Sequence, residues 1–406
     1  MSDSCNSRHF SWLMKSCFPN PQHPPPHHPT PTTTISSTTI SDLPDDLLLE
    51  CLSRVPHSSL RSLPLVCSRW SHLLDSPSFH LLRHRNNLIR LTLFAVSVSD
   101  STLFTASYRL ENDCSWKICS FQDGSFYSLF SHSRLSAIGR RIYVIGRTAM
   151  LRCDTWTGTV VVREGPLFPR KKFAAAFVGG KIYVAGGCAR SAAVEEYDPA
   201  GDAWSVVANA PRKRYGCVGA SVDGVFYIVG GLKIGGASGN DGVVARGADA
   251  VHVYASSMDL YDVANGVWLR SRAVPGGGCV VAACAAAGQI YVLSSHAVEL
   301  SFWKFNGSRK SNGNGFGGWC RIKSPPLPAQ VRLDSTVRFS CVGIGEKVVL
   351  IQVNGCIDDL LRRSGRVERG MKEGLVLVYD CAAGEWSRVA DLPEVIRRAA
   401  CVCVEC

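Results

Sequence analysis

No apolar run in this 406-residue chain approaches the ~18–20 residues that a membrane-spanning helix needs. The opening stretch, MSDSCNSRHFSWLMKSCF, mixes both charge signs and lacks the continuous apolar core of a secretory leader. A soluble protein of the cytoplasm, the nucleus or both is therefore expected, with no membrane partner. Regular cysteine spacing is missing too. The 18 cysteines are spread over the whole length, unlike the dense framework of a small secreted domain. Most, including Cys217, Cys279, Cys284 and Cys341, sit in apolar runs, where a thiol behaves as a small hydrophobe. Cys401 and Cys403 repeat at period two and no second pair has zinc spacing, so core thiols are expected and metal ligands are not.

Charge is sparse as well. Charged residues make up 19% of the chain, and acidic residues are outnumbered 33 to 44, giving a net charge of +11. A nucleic-acid surface would gather that excess into one stripe with aromatics interleaved. Here it is scattered over short clusters at 170–172, 212–214 and 361–373, which reads as solvated surface with no nucleic-acid partner. After residue 90 the only histidines are His132, His252 and His296, and they do not form a ligand set. A P-loop, a Ser/His/Asp order and a paired-carboxylate constellation are all absent. No catalytic residue and no cofactor are expected.

What is present falls into three stretches. Residues 1–39 are rich in Pro, His, Ser and Thr and bury too little apolar surface to fold, so a disordered tail is expected there, His23, His27 and His28 included. Residues 40–86 change character. Pro44 with Asp45 and Asp46 suits the first turn of a helix and its dipole. Leu47, Leu48, Cys51, Leu52 and Val55 then keep helical spacing up to Pro56. Ser59 can cap a second helix bearing Leu60, Leu63, Val66, Cys67, Trp70, Leu73 and Leu74, with a break at Pro64. Two or three short helices in ~45 residues hold too little core to stand alone, so they must pack on a partner or on the next domain.

From about residue 87 to 406 a repeat takes over. The phrases RRIYVIG, GKIYVAGG, GVFYIVGG, GQIYVLSS and EKVVLIQV align at Tyr143, Tyr183, Tyr227, Tyr291 and Val349, spaced by 40, 44, 64 and 58 residues. Downstream, Tyr197-Asp198, Tyr261-Asp262 and Tyr379-Asp380 each precede a tryptophan by seven residues from the tyrosine, at Trp204, Trp268 and Trp386. Gly201, Asn265-Gly266 and Gly384 supply a hairpin turn between them. A period near 45 with several strands per repeat predicts the blades of a β-propeller. A diverged blade over about 88–130, with Trp116 in its fourth-strand position, raises the count to six. The closing AACVCVE reads as a first strand that completes that blade, closing the ring without free edges. The fold class expected is mainly β: a six-bladed propeller preceded by a small all-α segment.

Two resemblances sharpen this reading. Leu43-Pro44-Asp45-Asp46, the Leu47–Leu52 helix and Val66-Cys67-Ser68-Arg69-Trp70 resemble an F-box in content and order. The repeat region resembles the kelch family through Gly186-Gly187, Gly230-Gly231 and the Tyr and Trp positions; Gly146-Arg147, Ser294-Ser295 and Val353-Asn354 depart from the glycine pair. Together they are similar to the F-box/kelch-repeat proteins, a group especially large in plants. That resemblance implies the substrate-recognition subunit of a Skp–cullin–F-box (SCF-type) ubiquitin ligase, itself non-catalytic. Leu43, Pro44, Leu48, Leu52, Val66 and Trp70 would dock the Skp-type adaptor, and through it a cullin and a RING protein. The propeller would hold the protein to be ubiquitinated. Its second-to-third-strand loops and blade-to-blade connections share one face, where long insertions at 232–255 and 355–374 meet the basic clusters. Arg170, Lys172, Arg212 and Arg214 are the expected substrate contacts, for a partner with an acidic segment. The 306–318 insertion falls on the opposite face. Some kelch propellers are copper-radical enzymes, but the three histidines here do not supply that site. The remaining alternative is a non-catalytic interaction scaffold that directs no ubiquitination.

Overall fold

The computed structural model describes residues 40–99, 102–111, 113–122, 130, 133–234, 254–296, 299–307, 317–327, 337–354, 374–396 and 399–406. The expected N-terminal tail, and the insertions at 235–253 and 355–373, lie outside them. The chain divides into two units, Met1–Asp45 and Asp46–Cys406. In the first, a 3-10 turn at Ile40–Asp42 is closed by Leu43 N–H donating to the Ile40 carbonyl at 3.4 Å.

Helix α1 (Asp45–Ser53) opens on two aspartates, which favour the positive end of its dipole, and buries Leu48 and Leu52 one turn apart. The second helix begins later than its spacing predicts. Pro64 removes a backbone donor, and the chain between Pro56 and Cys67 forms two 3-10 turns, His57–Ser59 and Leu63–Leu65. Only at Ser68 does α2 (Ser68–Asp75) start. Ser76 then caps α3 (Pro77–Arg85), its hydroxyl accepting from Phe79 N–H at 3.2 Å, with Pro77 in the first turn and three basic residues in the last.

Among the described residues, 23 strands and a closing strand follow as six antiparallel four-stranded blades, with one further short pair standing apart. Blade 1 takes β1 (Leu91–Ser99), β2 (Thr102–Tyr108) and β3 (Lys117–Gln122). Blade 2 is β4 (Arg134–Ile138), β5 (Arg141–Ile145), β6 (Ala149–Asp154) and β7 (Val160–Glu164). Blade 3 is β8 (Ala174–Val178), β9 (Lys181–Ala185), β10 (Ala193–Asp198) and β11 (Ala203–Asn209). The short β12 (Arg214–Tyr215) precedes blade 4, made of β13 (Val218–Val222), β14 (Val225–Val229), β16 (Ser257–Asp262) and β17 (Val267–Ala273). Within that blade's long loop, β15 (Leu232–Lys233) pairs with β12. Blade 5 is β18 (Cys279–Ala286), β19 (Gln289–His296), β20 (Glu299–Phe305) and β21 (Trp319–Ile322). Blade 6 is β22 (Val337–Ile344), β23 (Lys347–Asn354), β24 (Val376–Asp380) and β25 (Glu385–Arg388).

The last strand, β26 (Ala400–Glu405), returns to blade 1 as its innermost strand, in antiparallel register from Leu91 opposite Glu405 to Val96 opposite Ala400. Arg90 and Cys406 exchange backbone hydrogen bonds in both directions, at 2.6 and 2.9 Å, extending the ladder.

The repeated Tyr and Trp are cross-strand partners. Tyr197 faces Trp204, Tyr261 faces Trp268 and Tyr379 faces Trp386, with ring centroids 5.2, 5.0 and 5.1 Å apart. Tryptophans of blades 3, 6 and 1 also tie neighbouring blades together. Trp204 Nε1 donates to the Glu164 carbonyl at 2.9 Å, Trp386 Nε1 to Lys323 at 2.8 Å, and Trp116 Nε1 to Ala390 at 3.0 Å. Cys217 and Cys284 fill the core as expected and Cys341 is half-buried, whereas Cys279 is exposed, as are Cys51, Cys67, Cys114, Cys119 and Cys320. Burial pushes the Cys401 and Cys403 thiols up to about 12, leaving them protonated at neutral pH.

Deleting residues 400–406 leaves the inner ladder of blade 1 unpaired. It is expected to cost more than about 5 kcal/mol, out of the ~5–15 kcal/mol that a domain possesses. Thermal melting should lose its cooperative transition and soluble yield should collapse. A melt within a few degrees of the full chain would show that the ring holds without this strand.

Candidate functional site

Two surfaces of the Asp46–Cys406 unit bear on function. The first is the helical segment and its seat on the propeller. Blade 2 has no Tyr/Trp strand pair, since Cys153 faces Val160 at those positions. Its tryptophan, Trp156, lies instead in the β6–β7 hairpin and is buried in a cluster with Leu52, Leu60, Leu74 and Phe79 from the helices. The Phe79 and Trp156 rings meet edge to face at 5.6 Å and 80°. Two guanidinium groups also approach the indole, Arg140 at 4.5 Å and Arg83 at 5.5 Å from its centroid.

Both arginines are held by more than the ring. Arg83 donates to the Ser53 and Val55 carbonyls at 3.1 and 2.8 Å, satisfying the C-terminal end of α1. Arg140 donates to the Leu74 carbonyl at the end of α2 and to Asp154, both at 2.7 Å, and pairs with Asp75. Burial alone would raise the Asp154 carboxyl. The Arg140 guanidinium and the backbone N–H groups of Thr157 and Trp156 outweigh that and hold it below the usual range. His80 of α3 lies 3.2 Å from the Glu405 carboxylate, so the closing strand also touches the helices.

This seat decides which apolar residues remain available. Leu48 and Leu52 are 1% and 4% exposed, turned into the protein's own packing, and are corrected here from adaptor contacts to core. Trp70 is half-buried against the Trp156 cluster. Val66 is 59% exposed, and sequence spacing missed two further candidates, Leu47 at 51% and Leu65 at 83%. In the other unit, Leu43 is half-buried and Pro44 exposed.

The second surface is the face formed by the second-to-third-strand loops and the blade-to-blade connections. Two of its four expected contacts are withdrawn. Arg170 and Arg214 are each 1% exposed. Arg170 pairs with buried Glu195 and donates to the Gly186 and Ala193 carbonyls at 2.7 and 2.6 Å. Arg214 repeats the arrangement one blade on, binding Asp259 and the Gly230 carbonyl, both at 2.8 Å. The glycine pairs thus present carbonyls to these arginines. Gly187 (φ +73) also passes so close to the Lys171 carbonyl that a Cβ would sit 2.5 Å from it.

Lys172 and Arg212 stay partly open. Lys172 Nζ lies 5.7 Å from the Tyr215 ring centroid. Arg212 reaches the Ser257 hydroxyl at 3.1 Å and approaches Asp259 at 3.7 Å. Lys213 is exposed beside them. One cation here was not foreseen. Arg134, opening the innermost strand β4, donates to the Phe173 and Cys217 carbonyls at 2.7 and 3.0 Å, so it bridges blades 2, 3 and 4. Among the described residues no group of three His, Cys, Asp or Glu is placed to hold a metal ion. His296 is exposed, and His132 and His252 lie outside the described residues.

Short helices seated on a closed ring of six four-stranded blades, three of them with facing Tyr and Trp, define an F-box protein of the kelch-propeller class. Comparison with known proteins agrees. The F-box domain family matches residues 40–82, and the Kelch motif family matches residues 169–211. An F-box/kelch-repeat protein of Arabidopsis thaliana is 60% identical across the whole of both chains. A second from that plant is 29% identical over 43% of this chain and 73% of its own length, and a third is 32% identical over 43% and 49%. The chain belongs to the F-box/kelch-repeat family.

Two outcomes test this geometry. Trp156→Ala empties the seat of the helices and should cost about 3–5 kcal/mol. Protease cleavage between α3 and β1 should rise in parallel, while an unchanged digestion pattern would show that the indole does not hold the helices. Arg170→Ala leaves buried Glu195 unpaired and should cost about 3–5 kcal/mol. Arg212→Ala, with 28% of its side chain exposed, should cost about 1 kcal/mol or less by the same thermal melt.

Proposed function

We propose that this protein is the substrate receptor of an SCF-type ubiquitin ligase. The helical segment docks a Skp-type adaptor, which brings a cullin and its RING protein, and the propeller holds the protein to be ubiquitinated. The observation that carries this reading is the exposure of Leu47, Leu65 and Val66 on a segment whose other large apolar side chains are mostly packed inward. An apolar surface of that kind on a short helical unit fits a protein partner. Leu43 and Pro44 stay in the proposed adaptor surface on the resemblance alone.

The opposite role falls to the loop face, where Arg134, Lys172, Arg212 and Lys213 favour a substrate with an acidic segment. No chemical step is assigned to this chain. Its contribution is to hold a target lysine near the charged conjugating enzyme, raising the effective concentration of one for the other. The complex would work in the cytoplasm, the nucleus or both.

Co-purification of the full chain with a Skp-type adaptor tests the reading. Leu47→Asp with Val66→Asp should weaken capture at least tenfold, about 1.4 kcal/mol, without unfolding, because both side chains are exposed. Cellular substrate should then accumulate. Adaptor binding by neither form would overturn the assignment, and a substrate level indifferent to the substitutions would leave an interaction scaffold.

A further inference from the structure

Where the helical segment meets blade 2, a cavity of about 340 Å³ opens beside the Trp156 seat. That volume lies at the lower end of the ~300–1,000 Å³ typical of small-molecule sites. Four guanidinium groups line it, from Arg61 on the helical segment and from Arg140, Arg141 and Arg152 on blade 2. Only two carboxylates oppose them, Asp75 and Asp154. Both are already committed. Asp75 pairs with Arg140 and lies 3.1 Å from Arg141, and Asp154 lies 2.7 Å from Arg140 and 3.7 Å from Arg141. Arg61 and Arg152 have no carboxylate partner among the described residues.

We infer that this cavity binds a small phosphate-bearing polyanion, held between Arg61 and Arg152. The charge balance of the lining, four guanidinium groups against two carboxylates, leaves an excess of two positive charges around a half-open cavity, which draws anions to it. Guanidinium forks match phosphate oxygens two at a time, which a chloride or a lone carboxylate cannot exploit from both walls. Hydroxyls of Ser71 and Thr159 add donors, and Pro64 and Val161 supply an apolar wall for the body of the ligand. The two unpaired arginines stand on different elements, so an anion with charge at both ends fits better than a single phosphate. Such a ligand would be part of the seat itself, joining helices to blade. The inference is independent of which protein the exposed leucines or the loop face bind.

Calorimetric titration of the full chain with tripolyphosphate, at fixed ionic strength, tests it. Inorganic phosphate serves as the single-phosphate comparison and Lys213→Ala, on the opposite face, as the charge control. Saturable binding is expected, at least tenfold tighter for tripolyphosphate than for phosphate. Arg61→Ala and Arg152→Ala should each weaken it at least tenfold, and Lys213→Ala should leave it unchanged. If Arg152→Ala fails to fold, Arg61→Ala carries the test alone, because that side chain is exposed. Absence of saturable binding, retention by the arginine variants, or equal loss in Lys213→Ala would overturn the site. Phosphate binding as tight as tripolyphosphate would overturn the polyanion assignment.

Discussion

The pairing of the last strand with the first is the constraint on which the molecule depends. A ring of blades has no free edges only if its two ends are joined, and here six consecutive register pairs between β1 and β26 do so. The same pairing fixes the helices. Their last member, α3, ends just before β1 begins, and His80 on α3 touches Glu405 at the end of β26. Closure of the ring and placement of the helical segment are therefore one event in space, though they draw on opposite ends of the folded sequence.

Within the ring, the contacts that hold the blades together and the open loop cations belong to different residues. Facing Tyr and Trp rings join the third strand to the fourth, and the indole N–H then reaches a carbonyl of the neighbouring blade. Buried arginines perform a comparable task nearer the loops, joining a blade-to-blade connection to a glycine carbonyl and a third-strand acid. These interactions leave the outer loop residues only lighter contacts, such as Arg212 on the Ser257 hydroxyl and Lys213 on the Ala189 carbonyl. Lys172, Arg212 and Lys213 can change with little cost to folding, which on the proposed function suits a surface that chooses a partner.

Much of this was legible because the repeat announces itself. The seven-residue Tyr-to-Trp step gave the hairpins, and AACVCVE at the end matched the missing first strand of blade 1. The arginines were harder. Arg170 and Lys172, or Arg212 and Arg214, look alike in a basic cluster, and only the partner tens of residues away decides which is buried. A signal existed: Glu195 and Asp259 each stand two residues before the blade tyrosine, whereas blade 6 has Leu377 there. An acid at that position marks the blade whose preceding connection contributes a buried arginine. Trp156 left a fainter trace. It stands four residues ahead of Val160, which faces Cys153 where other blades pair Tyr with Trp, and a tryptophan displaced into a turn has been freed for another task. On the helical side, the resemblance assigned Leu48 and Leu52 outward, whereas Leu52 packs on Trp156 of a hairpin far along the chain.

The helices sit against the hairpin turns of blade 2, whereas the basic connections emerge at the other ends of the strands. Strands of five to eight residues rise about 3.3 Å per residue, so roughly 16–26 Å of protein separates the two levels. On the proposed function, a bound segment is thus shielded by the thickness of the ring from the machinery recruited below. The lysine that receives ubiquitin must be supplied by a part of the substrate that extends past the rim. Length and flexibility beyond the recognised segment then become selection criteria in their own right: a short peptide can be held firmly and still never be modified.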